Sequence, residues 1–459
     1  MTYQLRLTTQ QVSALYAHLF PGDGNEAVAL VLCGRRDGDE THIFCAHKVL
    51  PIPHDKCIAR EPLRVHWSAE LGRPIYEEAM RKHMAILKIH SHPGFYRQFS
   101  EVDDRSDQEI FGSLHGWTDD GLPHASAVML PDREMFARVV TADMKFVPID
   151  RILIAGDEIM LFDGAPRHCG IAEKDLRTAQ AFGQKTVGLI NSLRIGVVGC
   201  SGTGSWIIEQ LARLGVGQLL LVDPDVIEYK NLNRIVNSTL EHAQSQTPKV
   251  HALQSAIATI GTCTQVTSLP KDLFHLGVLR QLAACDVLFG CMDTVDGRNI
   301  LNRLATFYTI PYFDLGVRLD ADGHGGVNVV CGSVHFLLPG GSSLLSRRVL
   351  SPEGIRVATL RRTNPEQFKA ELAEGYIKGV KVESPAVISV NGLCATLAIN
   401  NLLARLHPFR IEANTEIRHQ WFDLVNGVFG VGQDGDSCRV LEPFVGRGDI
   451  DPFLDCYLA

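Results

Sequence analysis

The chain contains no Cys-x-x-Cys pair, although it holds 12 cysteines. A chain of this length can bury cores without covalent staples, so scattered cysteines read as reduced thiols and not as a disulfide frame or a zinc ribbon. Any metal must then be held by other donors. An excess of basic charge is also missing: 44 Lys and Arg stand against 52 Asp and Glu, a net charge of −8. Such a balance offers no general attraction to phosphate backbones or anionic lipid, and it excludes a nucleic-acid or membrane partner as the expected one. Long apolar runs are absent as well, since stretches such as Val216 to Val222 fall far short of the roughly 20 residues that span a bilayer. The opening MTYQLRLTTQQVSALYAHLF lacks the basic-then-apolar layout of a secretory signal, which makes a cytoplasmic protein the expectation. There is neither an internal repeat nor a low-complexity tract.

What is present is an ordinary folding composition. With 45% hydrophobic and 21% charged residues the chain lies far from the signature of disorder, and 459 residues give two or three domains at roughly 150 to 200 each. Periodicity divides it into two halves. The first reads as a helix Gln10 to Phe20, strands Ala27 to Cys33 and Thr41 to Leu50, a helix Arg73 to Lys82, and strands Ala85 to Ile89, Ala125 to Leu130 and Ala137 to Val140. That is an α+β unit. Gly, Asp and Pro interrupt the pattern between Gly156 and Gly170, and we expect a first domain over 1–165 and a second over 166–459. From Leu193 the order changes to strand LRIGVVG, Gly-rich turn, helix Ser205 to Arg213, strand QLLLVD, helix Lys249 to Ile260, strand CDVLFGCMD and helix Arg298 to Tyr308. Strands alternating with helices predict an α/β doubly wound, Rossmann-like sheet.

In the first half, IHSHPGFYRQFSEVDD sets His90 and His92 two apart, so a strand end would project both imidazoles to one side. Asp103 follows, with Ser100 placed to cap the helix that carries it. Two histidines and one carboxylate leave a fourth tetrahedral position for water, the arrangement of catalytic zinc. A histidine pair alone is more often hydrogen-bonded than metal-bound. Here, however, Pro93 follows the pair, Ser100 lies ten residues after His90, and Asp103 lies three after Ser100. This pattern resembles the JAB/MPN (JAMM) metalloproteases. The resemblance implies Zn²⁺ held by His90, His92 and Asp103, oxyanion stabilisation by Ser100, and a general base from an early strand. Glu26, which opens EAVALVLCG, is the candidate base, with Glu40 in reserve.

In the second half, GCSGTGS over Gly199 to Ser205 joins a strand to a helix, so that backbone N–H groups and the helix start could cradle phosphates. Asp223 ends the next strand, where it could hold ribose hydroxyls. A nicotinamide dinucleotide would call for Gly at position 201, and the chain has Ser201. Farther on come VDPDVIEYKNLNR, then TPKV, then CMDTVDGRN. In that order they resemble the ubiquitin-activating enzymes and their bacterial relatives ThiF and MoeB, which adenylate the C-terminal carboxylate of a small β-grasp protein.

The second resemblance implies ATP bound by Gly199, Ser201, Gly202, Gly204 and Asp223. It gives Asn231, Arg234 and Lys249 the phosphates and Asp293 the Mg²⁺, and brings Arg177 from the mate of a homodimer. Fixed cations suit the chemistry, because a carboxylate attacking an α-phosphate brings two anions together. Arg298 is open between an ion pair and a contact to the substrate tail. Where relatives carry a zinc-binding Cys pair this chain reads LPGGSSLL, and Leu344 to Pro385, expected to be mobile, holds no cysteine for a thioester. Cys331 and Cys394 sit in apolar surroundings and read as buried; Cys438 and Cys456 sit in a polar tail and read as exposed. The implied function is a bifunctional enzyme of a bacterial ubiquitin-like system, a zinc (iso)peptidase joined to an adenylyltransferase, with a ubiquitin-like or sulfur-carrier protein as substrate and a conjugating enzyme as a further partner. A sulfur-carrier cycle and a catalytically silent scaffold are the alternatives.

Overall fold

The structure, a computed structural model, describes residues 1–164, 173–373 and 386–456. Contacts divide the chain into two compact units. The described residues of the first are 1–164, 306–309 and 443–456, so the last stretch of chain belongs to the first unit although it follows the second in sequence.

The first unit runs β1 (Thr2–Thr8), α1 (Thr9–Leu19), β2 (Val28–Arg36), β3 (Thr41–Pro51), β4 (Cys57–Glu61), β5 (Arg64–Trp67), α2 (Arg73–Lys82), β6 (Ala85–Ser91), α3 (Glu101–Thr118), β7 (His124–Met129), β8 (Met135–Val140), β9 (Phe146–Pro148), β10 (Arg151–Ala155) and β11 (Met160–Asp163). Nine strands form one mixed sheet in the order β11-β10-β1-β3-β2-β6-β7-β8-β9, and β4 and β5 form a separate hairpin. Each face of the sheet has its own core. Leu5, Leu7, Val31 and Leu87 pack with Val12 and Leu15 of α1 on one side; Leu30, Leu32 and Ile86 pack with Ile75 of α2 and Phe111 of α3 on the other. Alternation along the strands explains this division, since successive side chains point to opposite faces. Helix α2 occupies the residues predicted, while α1 begins one residue early because Thr8 caps it, its hydroxyl accepting the Gln11 N–H. The expected break between Gly156 and Gly170 contains β11, which pairs with β10; residues 165–172 lie outside the described ones.

The second unit contains α4 (Leu176–Ser192), β12 (Arg194–Val198), α5 (Gly202–Arg213), β13 (Gln218–Val222), α6 (Leu240–Gln244), α7 (Lys249–Ile260), β14 (Gln265–Leu269), α8 (Leu276–Leu282), β15 (Val287–Gly290), α9 (Val295–Phe307), β16 (Tyr312–Ala321), β17 (Val327–Leu337), α10 (Pro352–Thr363), α11 (Pro365–Ala373), α12 (Ile388–Leu406), β18 (His419–Asp423) and β19 (Val428–Gly432). Its sheet has the order β14-β13-β12-β15-β16-β17-β18-β19. Five strands from β14 to β16 are parallel, and β17 to β19 continue antiparallel. The chain leaves β12 for β13 on one side and later places β15 on the other, so the end of β12 is a topological switch point, where open α/β sheets form their ligand crevice. The expected mobile segment is in part helical, as α10 and α11; residues 374–385 lie outside the described ones. Among the described residues no helix is long and apolar enough to cross a membrane.

Candidate functional site

In the first unit β6 is buried along its whole length, and its alternation sends Lys88 and His90 to the same face, with His92 just beyond. Helix α3 starts at the cap Ser100, whose hydroxyl accepts the Asp103 N–H at 3.2 Å and donates to Asp103 Oδ2 at 2.8 Å. The cap therefore aims the carboxylate. Asp103 Oδ1 lies 2.9 Å from His90 Nε2, Oδ2 lies 3.5 Å from His92 Nε2, and the two Nε2 atoms are 3.1 Å apart. These three residues, 1%, 5% and 7% exposed, are the one group of three metal-ligating side chains with atoms within 4.8 Å of one another among the described residues.

The donor set fits zinc. His92 Nδ1 lies 2.7 Å from the Tyr96 carbonyl; donating a proton there leaves the lone pair on Nε2, facing the other two ligands. Burial alone would raise the Asp103 carboxyl, but hydrogen bonds with His90 and His92 outweigh it and hold the group well below the usual carboxylate range. It keeps the negative charge that a cation requires.

Glu26 is 5% exposed and sits just before β2, in which Val28 pairs with His90. Burial pushes its carboxyl up to about 8, His92 opposing and Asp103 reinforcing the rise. Its backbone is fixed: the N–H donates to the Glu61 carbonyl at 2.9 Å, and Arg60 Nε donates to the Glu26 carbonyl at 3.0 Å. Glu40, exposed in the turn between β2 and β3, belongs to the far end of a nine-residue strand, about 30 Å away along β2. Behind the ligands lies a group that nothing in the sequence pattern singled out. Asp107, fully buried, meets Lys88 Nζ at 2.5 Å and Arg138 at 2.7 Å, and Lys88 also donates to Ser106 at 3.0 Å.

In the second unit Gly199 turns the chain at φ 89°, a left-handed value that favours glycine, and a side chain at 204 would meet the Gly199 carbonyl at 1.8 Å. Helix α5 begins after Ser201 without a side-chain cap, so its first N–H groups remain open to an anion. Beside it Asp223 Oδ2 accepts the Cys200 N–H at 2.7 Å, and burial raises its carboxyl. Lys249 Nζ reaches Asp225 at 2.7 Å and Asp223 at 3.5 Å, so these two predicted residues come together. Asn231 is 4% exposed and accepts the Glu228 N–H at 2.9 Å, while the Cδ of Arg234 lies 3.5 Å from where a Gly202 side chain would begin. The loop carrying them is tied over α5, because the Val236 N–H donates to Ser205 Oγ at 3.1 Å.

Asp293 is exposed just past the end of β15, and Arg177 is exposed on α4. Arg298 forks onto Asp314, one of its two bonds measuring 2.9 Å, which identifies it as an ion-pair partner. Asn391 of α12 was unforeseen. It is 4% exposed and accepts from Thr203 Oγ1 at 3.2 Å, and its Nδ2 lies 2.3 Å from the Cβ that Gly202 lacks. The cysteines depart from expectation: Cys438 is 3% exposed because the chain folds its N–H onto the Gly341 carbonyl, and Cys331 is only half-buried. Cys394 is buried as expected, Cys456 is half-buried, and Cys263 is the exposed one among the described residues.

Comparison with known proteins follows this geometry. The model for prokaryotic homologs of the JAB domain matches residues 8–141. Ubiquitin-like modifier-activating enzyme 5 of Dictyostelium discoideum is 24% identical over 254 residues, covering 50% of this chain and 64% of the relative. Adenylyltransferase and sulfurtransferase MOCS3 of Danio rerio is 33% identical over 122 residues, covering 27% of this chain and 26% of the relative. The chain thus spans less than two thirds of the length of these curated relatives. Escherichia coli MccB, in its crystal structure with MccA-N7isoASN, is 14% identical with a TM-score of 0.47, covering 61% of this chain and 77% of that one. The ThiF family model matches residues 174–423, more than half of the 459, and to that family the chain belongs.

Proposed function

We propose that the chain is a bifunctional enzyme acting on a ubiquitin-like protein: the second unit adenylates the carrier's C-terminal carboxylate with MgATP, and the first is a zinc-dependent peptidase or isopeptidase that processes or removes it. The observation that carries the peptidase half is the buried convergence of His90, His92 and Asp103 beside Glu26. Zinc, when bound there, would polarise the scissile carbonyl and lower the pKa of a bound water. Glu26, whose neighbouring strand pairs with the strand that carries His90, would take the proton of that water and return it to the leaving amine. Ser100 would brace Asp103; its one hydroxyl proton points to Asp103 Oδ2, so an oxyanion role requires the hydroxyl to turn.

In the second unit the open start of α5 would receive phosphates, Asp223 the ribose hydroxyls, and Arg234 with Lys249 the charge that builds as the carboxylate attacks. Asn231 would line the same phosphates. Asp293 offers a hard oxygen for Mg²⁺, which ordinarily takes one or two carboxylates plus phosphate oxygens. Arg177 would reach the nucleotide of a partner in a homodimer.

Glu26→Gln should retain zinc by metal analysis yet lose hydrolysis of a carrier fusion, and retained turnover in that variant would move the base elsewhere. Calorimetry should show binding of MgATP and not of NAD, with carrier-dependent pyrophosphate exchange. Tight NAD binding without response to MgATP would overturn the adenylation half. The likeness to an adenylyltransferase and sulfurtransferase supports a second reading, in which a sulfur donor attacks the adenylate; the two part on whether the carrier ends as a thiocarboxylate or on a target amine.

A further inference from the structure

The first unit has a cavity of about 160 Å³ between the β4–β5 hairpin, α2 and α3. At about 30 Å³ per water it holds some five waters, far below the 300 to 1,000 Å³ of cofactor pockets, so it suits one long side chain. Three of its walls are aromatic: Trp67 of β5, Tyr76 of α2 and Trp117 of α3, the last two ring to ring at 6.1 Å and 61°. Trp67 is 8% exposed and Trp117 57%, which makes one the floor and the other the open lip. Of the polar side chains His66, Ser106, Ser113 and Glu109 in the lining, Glu109 carries the fixed charge that decides the occupant. Glu109 lies at the exposed rim with no ion pair among the described residues, while the Tyr76 hydroxyl is buried beside Gly72 and closed to an occupant. An anion would be repelled by Glu109, and an apolar side chain would leave it without a counter-charge. A cation with N–H donors satisfies Glu109 and the electron-rich ring faces together.

We propose that this cavity binds a lysine or arginine side chain of the peptide cut at the His90, His92 and Asp103 cluster. The proposal rests on the peptidase reading and gives that site a substrate preference. Both features share the same elements. Ser106 lines the cavity one turn beyond Asp103 on α3, and the hairpin holds Glu26 through Glu61. Six residues of helix separate Asp103 from Glu109, about 9 Å at 1.5 Å each. An extended peptide covers that in roughly three residues. The basic residue is therefore expected at least about three positions from the scissile bond, because Asp103 and Glu109 also point about 120° apart around the helix.

The test is binding to the full chain stripped of metal, so that its outcome does not depend on hydrolysis. Tryptophan emission is followed while Nα-acetyl-lysine N-methylamide is added, and separately the neutral norleucine analogue. The lysine compound should give a saturable change and bind at least about fivefold more tightly than the norleucine compound. Glu109→Gln, at an exposed position that leaves the fold intact, should remove most of that difference, and Trp117→Leu should abolish binding of both. Equal affinities, or no saturable change with either compound, would overturn the proposal. Loss of hydrolysis in an otherwise binding-competent protein would instead strike at the peptidase reading.

Discussion

Ala27 and Ser91 hold each other at two points: the Ser91 N–H donates to the Ala27 carbonyl at 3.0 Å, and the Ala27 N–H donates to the Ser91 hydroxyl at 2.9 Å. Ser91 stands between His90 and His92 and Ala27 follows Glu26, so this pair ties the backbone at Glu26 to the backbone of the two histidines. Both residues are fully buried.

Replacing Ser91 by Ala strands the buried Ala27 N–H. We expect a loss of about 1–3 kcal/mol in urea denaturation, with zinc retained and hydrolysis lowered. A change below about 0.5 kcal/mol would mean that water or a backbone shift restores the bond.

The Lys88, Asp107 and Arg138 group should behave as a buried ionic network. Asp107→Ala leaves the buried Lys88 without its ion-pair partner and Arg138 with Asp104 alone, and is expected to cost about 3–5 kcal/mol, while a surface change such as Glu101→Ala should have almost no effect. Burial raises the Asp107 carboxyl, but Lys88 and Arg138 outweigh it and hold the group below its ordinary value. Its stabilising share is thus complete above the unfolded pKa of about 3.9 and is lost as pH falls through the lower folded value. Acid titration of the wild type and of Asp107→Ala should therefore converge at low pH; parallel curves would refute the assignment.

Lys249→Ala and Arg298→Ala should fail in different ways. The former removes the cation beside Asp223 and is expected to reduce pyrophosphate exchange at least about a hundredfold with the fold intact. The latter leaves Asp314, fully buried, without its guanidinium, and should appear as a stability loss of about 3–5 kcal/mol. A fully stable Arg298→Ala protein with a raised KM for the carrier would restore the substrate-contact role.

Thiol labelling should follow burial. Cys263 should react first with Ellman's reagent, and Cys394 and Cys438 should react only on unfolding. With MgATP and carrier, non-reducing gels should show no adduct that reductant removes. Such an adduct, mapped by single Cys→Ala changes, would establish a thioester step.

Local pattern was enough for the elements whose periodicity is uninterrupted, such as Arg73–Lys82 and Lys249–Ile260, and for the Ser100 cap, because these depend on neighbours within one helical turn. The grouping of His90, His92 and Asp103 was legible for the same reason: one strand end and one helix start, a short loop apart, carry all three. The order of motifs from Gly199 to Arg298 likewise identified the second unit's family. Other features depend on chain segments far apart. Ser91 meeting Ala27, Asn391 reaching Gly202 and Arg298 pairing with Asp314 are contacts across 16 to 189 residues. Cys438 looked exposed in a polar tail, yet tertiary packing buries it. Spacing along a chain encodes what a strand or a helix turn brings together; which partner satisfies a buried polar group is decided only when the sheet order sets distant segments side by side.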